Sequence, residues 1–140
     1  MTAKEYLMQY RRLTIKLKRL EKDIEDVRAE RSSISINLDG MPHGSGLGDK
    51  VATLAAKLID MERELIWMRS DAWEKRMEII RAVGMLENAD QSLLLQLRYI
   101  DGKTWEEIAV EMHYSFRHVL RLHGYALREF AKITDLHYMS

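Results

Sequence analysis

Cysteine is absent from the 140 residues, so there is no disulfide framework and no thiolate-type zinc site, a usage that leans towards a reducing compartment. Proline occurs once and phenylalanine twice, and β-branched clusters are few, which leaves helices favoured over sheets. An excess of one charge is missing as well, because 22 basic residues balance 22 acidic ones. That balance excludes a uniformly basic nucleic-acid coat and an acidic solvating tail. No apolar run approaches the roughly 20 residues that span a bilayer, so no membrane partner is expected. The opening MTAKEYLMQYRRL is too charged for the core of a signal peptide. With 46% hydrophobic and 31% charged residues, the expectation is a cytoplasmic, all-α protein of one domain or two small ones.

What is present begins with two heptad ladders. Tyr6, Tyr10, Leu13, Leu17, Leu20, Ile24 and Val27 recur in alternating steps of four and three, as in a coiled-coil seam. Val51, Leu54, Leu58, Met61, Leu65, Met68 and Ala72 repeat the pattern. Each ladder spans 22 residues, roughly 30 Å of helix. Neither helix can bury its stripe alone. An antiparallel hairpin within one chain is the simpler arrangement, and a homodimer through the same seams is the competitor. Met61, Met68, Met77 and Met85 are expected to fill core gaps.

Between the ladders, residues 32–49 hold Gly40, Gly44, Gly46, Gly48 and the one proline, Pro42, and read as a loop. Its GSGLGDK lacks the Lys-Ser/Thr ending of a phosphate-binding loop, so a connector or partner-contacting loop is the better reading. From Met1 to Lys22 seven basic residues face Glu5 and Glu21. They read either as an ordinary coiled-coil outer face or as a phosphate-contacting stripe, the first being favoured.

The C-terminal third carries the functional signal. Asp90 is the expected N-cap of a helix with Leu93, Leu94, Leu97 and Ile100, followed by an Asp101-Gly102-Lys103 turn. Thr104-Trp105-Glu106-Glu107 has the form of a capping box and opens a helix with Trp105, Ile108, Ala109 and Met112 on one face. His113 takes a turn position usually given to glycine, and Ser115 caps a last helix burying Val119, Leu122, Ala126 and Leu127. Two helices joined by such a short turn make a helix-turn-helix, whose second helix enters the DNA major groove by its N-terminal residues. Phe116, Arg117, Leu120 and Arg121 are then the base-reading candidates, because Arg reads guanine bidentately and apolar side chains meet thymine methyls. Lys103, Tyr114, Ser115, His118 and Arg128 are the phosphate-contacting candidates.

The stretch LRYIDGKTWEEIAVEMHYSFRHVLRLHGYALREF resembles the part of sigma-70 factors that reads the promoter −35 element, known as region 4. Thr104, Glu106, Glu107, Ile108, Ala109, Ser115, Val119, Ala126 and Leu127 carry the likeness, while Phe116 and Leu120 stand where polar residues are usual. Together with LDGMPHGSGLGDKVA, it is similar to small phage and prophage proteins of the ArpU and RinA-like late-regulator type and a related streptococcal-type phage family. The resemblance covers roughly residues 30 to 131. It implies a phage-encoded late-gene activator acting at promoters in the host cytoplasm and nucleoid, with or on RNA polymerase.

No enzyme, metal or cofactor is expected. His113, His118 and His123 are spaced by five, which scatters them around a helix, and no HExxH spacing occurs. His118 and His123 read as surface or phosphate-proximal groups. Glu106, Glu107 and Glu111 read as a capping and solvated face. The expected organisation is a helical hairpin over 1–87, a helix-turn-helix domain over 88–133 and a tail over 134–140. Its expected partners are double-stranded DNA, RNA polymerase and a second copy. Two alternatives stay open: a small-terminase-like DNA-recognition subunit, and a helical protein that holds a partner without reading bases.

Overall fold

Local capping chemistry starts the first helix. In a computed structural model, which describes residues 1–38 and 45–136, the Glu5 amide donates to Thr2 Oγ1 at 3.1 Å. The Thr2 amide in turn donates to the Glu5 carboxylate at 3.0 Å. This reciprocal pair satisfies two of the free amides at a helix start. It opens α1 (Ala3–Leu38), which is followed by α2 (Ser45–Val83), α3 (Ala89–Tyr99), α4 (Trp105–Met112) and α5 (Phe116–Thr134). The fold is all-α, and no strand occurs among the described residues.

Helix extends into both flanks of the expected 32–49 loop, since α1 runs on to Leu38 and α2 begins at Ser45. Gly46 and Gly48 therefore sit in the first turn of α2, where unpaired amides make glycine cheap. Residues 39–44 of that loop, and most of the expected 134–140 tail, lie outside the described residues. Of that tail, Thr134 still belongs to α5, Leu136 packs partly on the core, and both are half-buried.

The chain divides into two compact units, and both long helices contribute to each. The unit Thr14–Asp71 is an antiparallel pairing of α1 with α2. Ile24 and Val27 meet Leu54 and Leu58, with Leu20, Ile34, Met61 and Leu65 packed around them. Running antiparallel, the helices link Arg28 to Glu62, Arg69 to Glu21 at 3.2 Å and Lys50 to Glu30 at 3.7 Å. Such exposed pairs add little stability, so the apolar seam holds the unit. The heptad ladders thus meet within the chain over this stretch.

The other unit joins Met1–Leu13 to Ala72–Ser140. The division differs from the expected boundary at residues 87 and 88. Ala3 and Leu7 of α1, and Ile79 and Val83 of α2, are buried in one cluster with Leu94, Ile108, Val119 and Phe130. Full burial of each large side chain contributes about 1.5–3 kcal/mol, so the first turns of α1 belong to this core rather than to a narrow seam. Tyr6 and Tyr10 are only partly buried beside it. Met85, expected in the core, is exposed just past the end of α2.

Candidate nucleic-acid interface

Three short helices build the candidate site, and each starts on a side-chain cap. Asn88, not Asp90, caps α3 by accepting from the Gln91 amide at 3.0 Å. Asp90 lies in the first turn, where its charge suits the positive end of the helix. Leu94, Leu95 and Leu97 are buried, while Leu93 faces solvent. A turn follows, with Gly102 at φ +70°, a conformation that costs glycine little. The Arg98 guanidinium lies 4.2 Å from the Trp105 ring centroid and donates to the Lys103 carbonyl at 3.0 Å, closing this turn.

Thr104 and Glu107 make the reciprocal capping box at the head of α4. The helix ends at His113, whose φ of 58° and ψ of 38° are left-handed. The Tyr114 amide returns to the Ala109 carbonyl at 3.0 Å and satisfies an end carbonyl. Ser115 then caps α5, accepting from the His118 amide at 3.1 Å. Three residues, 113–115, thus separate α4 from α5. Tyr114 is half-buried, its hydroxyl donates to the Asp90 carboxylate, and its ring meets the His118 ring edge-on at 4.5 Å. That bond to Asp90 raises the Tyr114 pKa above the usual phenol value.

On α5, Val119, Ala126, Leu127, Phe130 and Ala131 are buried. Phe116, Arg117, Leu120 and Arg121 stand exposed on its first two turns, Phe116 at 45% and Leu120 at 41%. Their spacing sets Phe116 over Leu120 and Arg117 over Arg121 in neighbouring rows. From Ser115 to Arg128 there are three arginines and no acid, so this end of α5 is positive, as is the free-amide end of any helix.

The phosphate-contacting candidates divide. Ser115 is exposed beside the first turn of α5 but spends its hydroxyl on the cap. His118 is exposed on that turn, and Arg128 is exposed about two turns beyond Arg121. Lys103 is drawn to Glu111, whose hydrogen bond raises the lysine pKa. Tyr114 points its hydroxyl at Asp90.

His123 departs from the surface role expected of it. It is half-buried, shares a 2.7 Å hydrogen bond with the Tyr99 hydroxyl, and packs edge-on to Trp105 with centroids 4.6 Å apart. Burial, then the nearby Lys4 and Arg98 charges, pushes its pKa down to about 4. Burial also pushes the Tyr99 hydroxyl up to about 12. The position was open to reading, since His123 falls four residues after Val119 and four before Leu127, on the buried face.

Among the described residues, no group of three or more histidines, aspartates and glutamates stands close enough to hold a metal ion. No described helix is long and apolar enough to cross a membrane. No protein-family model, no curated protein and no solved structure matches this chain, so the functional reading rests on the residues themselves.

Proposed function

We propose that this chain is a sequence-specific double-stranded-DNA-binding transcription regulator, with α4 and α5 acting as a helix-turn-helix and α5 as the recognition helix. The observation that carries the reading is the exposed row of Arg117 and Arg121 on the first two turns of α5. Those turns are anchored from behind by buried Val119 and held at the corner by Ser115 and Tyr114. Arg117 and Arg121 read guanine edges, and Phe116 and Leu120 contact thymine methyl groups. Ser115, His118 and Arg128 meet the flanking phosphates, which position the helix without specifying sequence.

One such unit neutralises only a few phosphates, so its own affinity is modest and salt-sensitive. The sigma-like pattern at Thr104–Leu127 supports a role at promoters with RNA polymerase, where tethering supplies the missing affinity by effective concentration. A phage late-gene activator is the form of this role that the resemblance favours.

Exposure of Phe116 and Leu120 beside the arginines also favours a second reading, in which this face grips a protein. Selection from a random duplex pool separates the two. The wild type is expected to enrich one motif, and the Arg117→Ala/Arg121→Ala variant none. Absence of any enriched motif with the wild type would favour the protein-gripping face.

A further inference from the structure

Helix α2 carries a second heptad stripe that α1 does not cover. Ala52, Ala56, Ile59, Arg63, Ile66 and Ser70 recur in alternating steps of four and three, and all six face solvent. Ile59 is 54% exposed, Ile66 is 65% exposed, and Trp67 next to them is 71% exposed. Single apolar side chains on a surface are ordinary, but isoleucines one heptad apart with an adjoining tryptophan form a seam. The inner stripe of the same helix, centred on Leu54 and Leu58, is already spent on α1.

We propose that a second copy of this chain covers this outer stripe, with α2 packed antiparallel on α2. The charges flanking the stripe are self-complementary in one register. Setting Arg63 opposite Ile66 of the second copy also sets Ile59 opposite Ser70, and two-fold symmetry repeats both contacts. In that register Glu62 flanks Arg69 of the second copy, twice over. Both side chains keep exposed surface beyond their bonds to α1, 40% for Glu62 and 59% for Arg69.

The competing registers are penalised. Parallel packing stacks Arg63 on Arg63, and sliding the antiparallel pair by one heptad sets Glu62 against Glu62. Like charges at such flanking positions select against a pairing. This inference does not depend on DNA recognition by α5, although a dimer doubles the number of recognition helices.

Sedimentation equilibrium of the full chain over a concentration series tests it. The wild type is expected to reach twice 16.5 kDa. Ile59→Glu/Ile66→Glu is expected to stay monomeric with an unchanged helical circular-dichroism spectrum, and to lose the concentration dependence of melting temperature that a dimer shows. A wild type that remains monomeric throughout, or a folded double variant that still dimerises, overturns the proposal. The absence of native cysteine makes the register testable too. In an oxidised equal mixture of Ile59→Cys and Ser70→Cys chains, the mixed 59–70 disulfide is expected to dominate. Dominant 59–59 disulfides would overturn the antiparallel arrangement.

Discussion

The Tyr114 hydroxyl donates to the Asp90 carboxylate, tying the turn before α5 to the first turn of α3. The two residues are 24 apart in sequence, yet this bond helps set where α5 begins. Replacing Tyr114 by Phe removes the donor and keeps the ring against His118. The expected result is faster hydrogen exchange, by several-fold, at the amides of residues 116–119, with global unfolding little changed. Exchange monitored by NMR checks it.

The left-handed turn at His113 stores strain that a glycine would not, because a Cβ there crowds the following carbonyl. His113→Gly is expected to stabilise the unit by up to about 1 kcal/mol. Gly102→Ala, at φ +70°, is expected to cost about as much. Thermal melts of the two variants should therefore move in opposite directions.

Burial of neutral His123 makes stability pH-dependent. Its folded pKa of about 4 lies below the ordinary value of 6.5. Above pH 6.5 the ring is neutral in both folded and unfolded chains, so protonation costs nothing. Between pH 6.5 and 4 the unfolded chain takes up the proton first, and stability falls as pH falls, by up to about 3 kcal/mol in all. His123→Gln keeps a hydrogen-bonding partner for Tyr99 without the titration. Chemical denaturation at pH 7 and pH 5 should show a smaller loss in this variant than in the wild type.

Leu7 is fully buried with Phe130, although the two stand at opposite ends of the chain. Leu7→Ala is expected to destabilise the unit by about 3 kcal/mol. For the same reason a fragment starting at residue 88 should lose helicity, since it lacks Ala3, Leu7, Ile79 and Val83. Circular dichroism of the variant and the fragment tests both.

These long-range contacts mark where the sequence stopped being legible. Thr104 with Glu107, the Ser115 cap and the αL turn at His113 are interactions within a few residues, and their spacing alone foretold them. The stripes of Ile24 with Val27 and of Leu54 with Leu58 were legible as heptad steps, while their meeting within one chain rather than across two was one of two arrangements left open. Periodicity along one helix does not say which distant helix it meets, so the place of Ala3 and Leu7 beside Phe130 was hidden. A choice between Asn88 and Asp90 as cap turns on one or two residues, where local preference is nearly equal. On α5 the exposed row of Phe116, Arg117, Leu120 and Arg121 was legible because Val119, Ala126 and Leu127 define the opposite face. The diversion of Lys103 to Glu111 and of Tyr114 to Asp90 needed three dimensions.

The most direct measurement is a fluorescence-anisotropy titration of the full chain against duplex fragments of the DNA region that encodes it, over a salt series. The wild type and Arg117→Ala/Arg121→Ala are compared. The wild type is expected to prefer one fragment, with affinity falling steeply as salt rises, and the double variant to lose about tenfold or more on that fragment alone. Equal weak binding to every fragment, unchanged by the two substitutions, would contradict base reading by α5.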